Sequence, residues 1–236
     1  MAATVGTLVG AVCAAVLGAG CLKAAQIFRK IQTYKRETKA KNVKASAGFL
    51  VLTTESSGTQ ETPSALCARS LTFFRINDEV MGGKSTSTLV FEDTGLVFAG
   101  EINTNGGGFA SCRTLGDDEP LGLPAEANAL LVDATGDGQR YKLVLHTADS
   151  WAMSVPSWSQ DFVPSRKRTS HRLSLSGFVP SKQGRVVHGL PPLDPATVTG
   201  FGFALSLYTA DGQPNPDFGP GPFRLEVHSV HVETSS

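Results

Sequence analysis

From about residue 66 onward the hydrophobic positions form short runs, which are separated by Gly, Pro, Asn and Asp. No stretch of this part keeps an apolar period of 3.6 residues over three turns, so the pattern does not predict helices there. Short apolar runs between turn residues indicate the strands of a sandwich or barrel. The predicted strands cover residues 72–76, 85–91, 96–102, 109–114, 129–134, 141–147, 151–155, 172–175, 201–208 and 223–232.

Two of these strands show which side faces a core. In the strand at 201–208, apolar residues at every second position share one face: Phe201, Phe203, Leu205 and Leu207. In the last strand the alternation slips by one residue at Ser229, which predicts a β-bulge. About 170 residues are enough to bury a two-sheet core. The sequence therefore predicts an all-β sandwich.

The first part of the chain has a different pattern. From Thr4 to Leu22 no residue is charged, and Ala, Val, Leu and Gly predominate. As a helix this stretch is about 28 Å long, close to the thickness of the hydrocarbon core of a bilayer. Gly6 and Gly10 form a GxxxG pair, which favours the close approach of two such helices. The pattern predicts an apolar helix that anchors the protein in a membrane; an organelle presequence and a cleaved secretory signal are the alternatives.

Charge divides the chain in the same region. Residues 1–48 hold eight of the 21 Lys and Arg and one of the 21 Asp and Glu, which gives +7 and leaves −7 on the rest. The positive-inside rule then keeps the C-terminal part on the side of the cytosol, matrix or stroma. An acidic domain argues against a nucleic-acid partner. We predict an anchor or targeting segment with its basic flank at 1–48, a linker at 49–68 and the β-sandwich at 69–236.

The four cysteines show no spacing typical of a metal site or a redox dithiol. Cys13 and Cys21 lie in the apolar stretch, and Cys67 and Cys112 are far apart in sequence, with no CxxC motif. Isolated thiols suit a reducing compartment, and a disulfide between Cys67 and Cys112 is the minor alternative.

The stretch NDEVMGGKSTSTLVF begins at Asn77 and contains GGKST, which resembles the end of a phosphate-binding loop. That motif requires a glycine five residues before Gly83, where Asp78 stands, and it requires a helix afterwards. The residues from Ser85 onward are rich in β-branched types and predict a strand instead. We interpret the stretch as a turn that leads into a strand, and not as a nucleotide site.

Other candidate sites fail similar tests. Residues 103–109 contain Asn-Gly, which is typical of a hairpin turn, and lack the spacing of a dinucleotide site. His228 and His231 form HxxH, but exposed strand histidines are commoner than a metal site of this kind. The acidic run at 117–119 is interpreted as a turn rather than a calcium site. No GxSxG or HExxH motif occurs. The sequence predicts no enzyme activity, catalytic residue, cofactor, metal or small-molecule substrate.

Two surface features are candidates for binding a protein partner. Arg166, Lys167 and Arg168 form a basic cluster, with Trp158 nearby in the sequence. These four residues are the candidate partner-binding residues; a solvated charged run is the simpler interpretation. Residues 209–222 hold four prolines and three glycines. A loop that prolines stiffen loses less entropy when it serves as a recognition surface.

Several blocks of the chain, taken together, resemble the complex I intermediate-associated protein 30 domain family. The first blocks contain Asn77, Asp78, Met81, Gly82, Gly83 and Ser85, and then Gly107, Gly108, Phe109 and Arg113. Later blocks cover residues 136–141, which include Tyr141, and residues 177–180, 184–185, 200–203 and 222–227. They occur in the family's order over about residues 70–232. Phe73 and Phe74 stand where the family often has a Trp, and the basic cluster stands where it usually has another.

The resemblance implies a jelly-roll β-sandwich of the galactose-binding type and a non-enzymatic, chaperone-like role. Such a protein binds intermediates of the membrane arm during the assembly of mitochondrial respiratory complex I. We expect it at the mitochondrial inner membrane with its domain on the matrix side; another membrane, with the domain facing cytosol or stroma, is the alternative. A carbohydrate- or other ligand-binding sandwich module tethered to a membrane is the alternative function, and the scarcity of Trp and Tyr residues weighs against it.

The family motif residues are expected to be mainly architectural. We expect the stretch around Asn77 and the stretch from Gly107 to Arg113 to lie close in space, with glycines where backbones approach closely. We also expect Asp78 and Arg113 to form a buried or half-buried ion pair between two strands, whose removal would unfold the domain.

Overall fold

The computed structural model describes residues 43–44, 50–53, 71–114, 119–147, 155–182 and 184–234. Contacts between backbones group residues 41–236 into one compact unit. The predicted apolar helix from Thr4 to Leu22 and nearly all of the predicted strand at 151–155 lie outside the described residues. Within the described residues, no helix has both the length and the apolar character needed to cross a membrane.

The described residues form short and medium strands with tight connections. Three 3-10 helices, Asp78–Met81, Leu175–Gly177 and Pro195–Thr197, lie between strands. The strands are β1 (Val43–Lys44), β2 (Leu50–Thr53), β3 (Thr72–Asn77), β4 (Thr86–Glu92), β5 (Gly95–Ile102), β6 (Phe109–Thr114), β7 (Ala127–Gly136), β8 (Tyr141–Thr147), β9 (Ser157–Phe162), β10 (Thr169–Ser174), β11 (Val179–Lys182), β12 (Arg185–Val186), β13 (Val198–Ser206) and β14 (Gly221–Thr234).

The strands belong to two sheets, which confirms the predicted all-β sandwich. The eight-stranded sheet has the order β1-β3-β6-β13-β8-β9-β11-β12. The six-stranded sheet has the order β10-β7-β14-β5-β4, with β2 added to β14. All pairs are antiparallel except β2 with β14. The chain passes between the sheets more than once, since β3 and β6 lie in one sheet while β4 and β5 lie in the other.

One hydrophobic core lies between the two sheets. Both sheets contribute large side chains with no exposed surface: Phe73, Leu143 and Phe203 from the eight-stranded sheet, and Phe98, Val132 and Leu225 from the six-stranded sheet. Burial of one such side chain stabilises a fold by about 1.5–3 kcal/mol. The period-2 pattern of the sequence therefore marks the residues that hold the sheets together.

The observed phase of β13 differs from the prediction at one end. Phe201, Phe203 and Leu205 are buried as predicted, but β13 ends at Ser206 and Leu207 is 45% exposed. The prediction that Leu207 faces the core is therefore wrong. Leu207 lies just beyond the last pair of β13 with β6. Its N–H donates to the carbonyl of Gly108 (3.3 Å), and its carbonyl accepts from the backbone N–H of Asn215 (2.8 Å).

The predicted bulge in the last strand is confirmed. Val227 pairs with Ala134 and Ser229 pairs with Asp133, so His228 is the extra residue of β14. Its Nδ1 donates to the carbonyl of Thr94 (2.6 Å), and its Nε2 accepts from a hydroxyl on β7. The bulge thus holds this imidazole between two neighbouring segments of the sheet.

The sandwich extends upstream of the predicted boundary at residue 69. Val43–Lys44 pairs with β3, and Leu50–Thr53 pairs with the last part of β14. Leu50–Thr53 lies inside the segment that we predicted as a linker. It forms a strand because its run of Leu, Val and Leu is short, apolar and β-branched in part, and because β14 extends beyond the end of β5 and leaves an edge to pair with.

Candidate functional site

Asn77 and Asp78, at the end of β3, are buried polar residues of the family motif. They are 1% and 0% exposed. The side-chain oxygen of Asn77 accepts from Ser87 Oγ (2.6 Å). The Asp78 carboxylate accepts from both the backbone N–H (2.9 Å) and the hydroxyl (2.7 Å) of Ser85. Because buried polar groups need partners, these bonds fix the start of β4 against the end of β3.

Two glycines of the motif leave the space that Asp78 occupies. A Cβ on Gly83 would lie 2.2 Å from the Asp78 carboxyl carbon, and a Cβ on Gly107 would lie 2.3 Å from one of its oxygens. Gly82, directly before Gly83 in the turn, has φ +94°, which favours glycine. The predicted proximity of the two stretches is confirmed, and no side chain fits at Gly83 or Gly107.

The predicted ion pair between Asp78 and Arg113 does not form. Asp78 is bonded to Ser85, and no ion pair joins it to Arg113 in the described part of the chain. The register explains the error: Asn77 pairs with Ala110, and residues three positions apart on a strand face opposite ways. Arg113 therefore lies on the opposite face of β6 from Ala110, the residue that pairs with Asn77.

Arg113 lies on the outward face of the eight-stranded sheet, between Phe74 and Gly202. Burial lowers the pKa of its guanidinium to about 10. His146 is 6% exposed, and burial and the charge of Arg113 hold the pKa of its imidazole well below the ordinary value. Cys112, which points the other way, is a free thiol whose pKa burial raises to about 12. This thiol is not an activated nucleophile.

The block at 136–141 is a turn built around one carboxylate. Asp137 accepts from the hydroxyl of Tyr141 (3.0 Å) and from the backbone N–H of Arg224 (2.8 Å) and Gln139 (3.0 Å). Burial, followed by the charge of Asp137, raises the pKa of Tyr141, which has no exposed surface. Tyr141 is therefore a neutral hydrogen-bond donor that joins β8 to the start of β14.

The Pro-rich loop at 209–222 is held against the sandwich at several points. Asn215, 6% exposed, donates to the carbonyls of Arg140 (3.2 Å) and Ser206 (3.1 Å). Asp161 on β9 accepts from the backbone N–H of Ala210 (2.8 Å), and burial raises its pKa. The loop therefore has a defined shape before any partner binds.

The candidate partner-binding residues do not form one patch. Arg166 and Lys167 are exposed in the loop between β9 and β10, and Arg168 binds Asp133 across the sheet (2.5 Å). Trp158 is half-buried near the start of β9 and packs against the core. About 13 Å of extended strand separates it from Phe162, where β9 ends and the loop begins. The structure therefore separates Trp158 from the basic residues.

The two stretches with nucleotide-like or metal-like sequence have other structures. Gly82 ends a 3-10 helix, and a strand starts at Thr86, as the sequence predicted. His231 binds Ser229 (2.9 Å) on the outward face of β14. Among the residues that the structure describes, no three His, Cys, Asp or Glu side chains are grouped so that they could hold a metal.

Sequence reasoning missed the partners of the motif. Ser85, directly before β4, and Ser87, within it, are buried, and they bind Asp78 and Asn77 respectively. The signal was present: at this end of the strand the inward positions are polar, and only Leu89 restores the apolar pattern. A polar residue at an inward strand position indicates a buried hydrogen-bond partner elsewhere in the chain.

The sequence matches the model of one protein family. Residues 66–227 match the family described as complex I intermediate-associated protein 30 (CIA30). This range contains the buried network of Asn77 and Asp78, the turn around Asp137 and the Pro-rich loop. No curated protein sequence matches the chain significantly.

Several solved structures of carbohydrate-related proteins are similar in fold. The family 11 carbohydrate-binding module of a cellulosomal cellulase from Clostridium thermocellum is 13% identical, with 69% of this chain and 86% of that chain covered and a TM-score of 0.38. A variant of a family 29 carbohydrate-binding module complexed with cellulohexaose is 11% identical, with 80% and 92% covered and a TM-score of 0.36. An exo-β-agarase is 10% identical, with 70% and 23% covered and a TM-score of 0.41. At these values the likeness assigns no ligand to this chain.

Proposed function

Because this chain belongs to the complex I intermediate-associated protein 30 family, we propose that it is a non-enzymatic assembly factor that binds protein intermediates of respiratory complex I. The observation that carries the proposal is the family match over residues 66–227. The geometry supports an architectural role for the buried polar residues of the motif, since Asp78 is bonded to Ser85 and Asn77 to Ser87. We further propose that the sandwich has the jelly-roll, galactose-binding-like topology of the family.

The proposed place of action is the mitochondrial inner membrane. The segment from Thr4 to Leu22 would anchor the protein, and the basic residues after it would keep the sandwich on the matrix side. The free thiol of Cys112 is compatible with a reducing compartment such as the matrix.

We place the partner-binding surface at the loop end of the sandwich, defined by Leu207, Tyr208, Phe218 and Gly108. Leu207 and Tyr208 are 45% and 46% exposed. Phe218 and Leu207 lie beside Gly108, so the Pro-rich loop meets the glycine stretch of the family motif there. Neighbouring exposed apolar side chains on a well-ordered surface are typical of protein-binding sites, and order before binding reduces the entropy that binding costs.

Affinity purification with mass spectrometry tests this function. The tagged full chain is purified from mitochondrial membranes beside two variants: Leu207→Ser with Tyr208→Ser, and Val90→Ser as a matched control. Val90 is 46% exposed, but it lies on β4 in the other sheet. We expect the wild-type chain and the Val90→Ser control to recover complex I subunits and the double variant to lose them.

The two parts of the proposal fail in different ways. If neither the wild-type chain nor any variant recovers complex I subunits, the assembly function is refuted. Retention of a defined glycan in place of those subunits would favour the ligand-binding alternative. If the double variant recovers the subunits as well as the control does, the function stands and the loop end is not the binding surface.

A further inference from the structure

The segment from Arg166 to Ser170 places three basic residues directly before two hydroxyls. The sequence here is Arg-Lys-Arg-Thr-Ser, in which Ser170 has basic residues two and three positions before it. Protein kinases with an acidic substrate groove attract such segments by charge. All five residues are exposed, so the chemical groups that a kinase would contact are accessible.

Hydrogen bonding distinguishes Ser170 from its neighbours. Thr169 Oγ1 donates to the carbonyl of Lys167 (3.0 Å), and Ser165 Oγ donates to the same carbonyl (3.1 Å). Within the described part of the chain, no partner is found for the hydroxyl of Ser170. The hydroxyl of Ser170 is therefore free to react, whereas that of Thr169 is held in a hydrogen bond.

The backbone at Ser170 is already extended and lies at an edge. β10 is the outermost strand of the six-stranded sheet and pairs with β7 alone. A kinase binds an extended substrate, and release of an edge strand opens one ladder instead of two. Ser170 is the second residue of β10, next to the exposed loop, so few pairs with β7 need to open.

The surroundings of Ser170 can hold the product of phosphorylation. Ser170 lines an open cavity of about 530 Å³ together with Asp133, Arg168 and His231. Alternate residues of a strand share one face, so Arg168 and Arg172 flank Ser170 on the same side. Their present partners are Asp133 (2.5 Å) and Glu233 (2.5 Å). Exposed ion pairs of this kind are weak and exchange easily.

We propose that Ser170 is a phosphorylation site for protein kinases that select basic residues before their target, and that Arg168 and Arg172 bind the resulting phosphate. In the reaction, Ser170 Oγ forms a bond to the γ-phosphorus of ATP, the bond to the β-phosphate oxygen breaks to release ADP, and the hydroxyl proton passes to the carboxylate base of the kinase. Asp133 is directly opposite Ser170. Repulsion between this carboxylate and the phosphate therefore transfers Arg168 from Asp133 to the phosphate.

The modification would change the charge of the basic cluster without changing the core. A phosphoserine adds about −1.5 to −2 charges at neutral pH. Added beside Arg166, Lys167 and Arg168, it reduces or cancels most of their positive charge. The acidic sandwich would then have no strongly basic area in this region.

A kinase assay on the full chain tests the site. The full chain is incubated with Mg²⁺-ATP and the catalytic subunit of cyclic-AMP-dependent protein kinase, and the modified residues are mapped by mass spectrometry. We expect phosphate on Ser170, its loss in Ser170→Ala and its retention in Ser176→Ala. Ser176 is also exposed but has no basic run before it. Phosphate confined to other residues, or equal incorporation by the wild-type chain and Ser170→Ala, overturns the proposal.

Phosphorus NMR tests the arginines separately. The second pKa of a phosphoserine is ordinarily about 6. If Arg168 and Arg172 bind the dianion, this pKa lies below the ordinary value in the folded protein and rises in the Arg172→Ala variant, which keeps the three basic residues before Ser170. An identical titration in the two proteins shows that Arg172 does not hold the phosphate.

Discussion

The two hydrogen bonds from Ser85 to Asp78 predict a graded loss of stability along β4. Ser85→Ala removes the hydroxyl that donates to the carboxylate at 2.7 Å and leaves the backbone bond at 2.9 Å. A hydrogen bond to a charged group contributes about 1.5–3 kcal/mol. For a protein of this size the loss lowers the melting temperature by about 3–12 °C.

The neighbouring positions of β4 supply matched controls. Ser87→Ala removes a bond to the neutral amide of Asn77 (2.6 Å), so we expect a smaller loss of about 0.5–1.5 kcal/mol. Thr86 lies between the two serines and is exposed, so Thr86→Ala should change stability by less than about 0.5 kcal/mol.

Thermal unfolding followed by circular dichroism measures this series. The order of destabilisation should be Ser85→Ala, then Ser87→Ala, then Thr86→Ala. If Ser85→Ala melts at the same temperature as Thr86→Ala, the buried carboxylate does not depend on Ser85 and the architectural explanation of the motif is refuted. A double-mutant cycle with Asp78→Asn isolates the pair, and its coupling should lie in the range of about 0.5–3 kcal/mol.

Three further predictions concern the glycines, the Asp137 turn and pH. Gly107→Ala places a Cβ 2.3 Å from an Asp78 oxygen, so it should destabilise by about 1–3 kcal/mol; Gly219→Ala, with no atom near its Cβ, should be neutral, and equal melting temperatures would contradict the close packing. Asp137→Ala leaves the buried hydroxyl of Tyr141 without its acceptor and should lower the free energy of unfolding, measured by chemical denaturation, by at least about 2 kcal/mol. The control Asp217→Ala breaks an exposed ion pair and should lower it by less than about 1 kcal/mol. Burial lowers the pKa of His146, His171 and His231 in the folded protein below the unfolded value of about 6.5. The unfolded chain therefore binds more protons in acid, and stability should fall as pH drops below about 6.5. A melting temperature unchanged between about pH 7 and pH 5 contradicts this.

The strands were predictable where one face is apolar and the other is not. β6, β8 and β14 have this alternation, and their predicted positions agree with the structure to within two residues. β9, β11 and β12 were not predicted, because a sequence such as SWSQDF has only two apolar residues, which are separated by three polar ones. Their place in the sheet depends on pairing: β9 pairs with β8, β11 with β9, and β12 with β11. Pairing between strands is a property that no local pattern contains.

The sequence predicted which residues form the candidate site, but not which hydrogen bonds they make. The chain pattern and the family resemblance identify Asn77, Asp78 and the glycines, and the structure shows them in contact. The partner of Asp78 was predicted as Arg113 because charge suggests a pair. In the structure Arg113 lies on the face of β6 that points away from Asp78, and a serine hydroxyl binds Asp78 instead. Which face of β6 carries Arg113 relative to Asp78 can be assigned only once the register between β3 and β6 is known.

The parallel pairing of β2 with β14 limits where the chain can be processed. β2 covers the edge of Val230–Glu233 beyond the end of β5. Cleavage after Thr53 would remove this strand and expose the backbone of the longest strand in the sheet, which is a template for aggregation with other chains. Because Val43–Lys44 also pairs with β3, a protease that removes a targeting segment leaves the whole sandwich intact only if it cuts before Val43. The mature protein should then keep part of the basic segment as the N-terminal end of its fold.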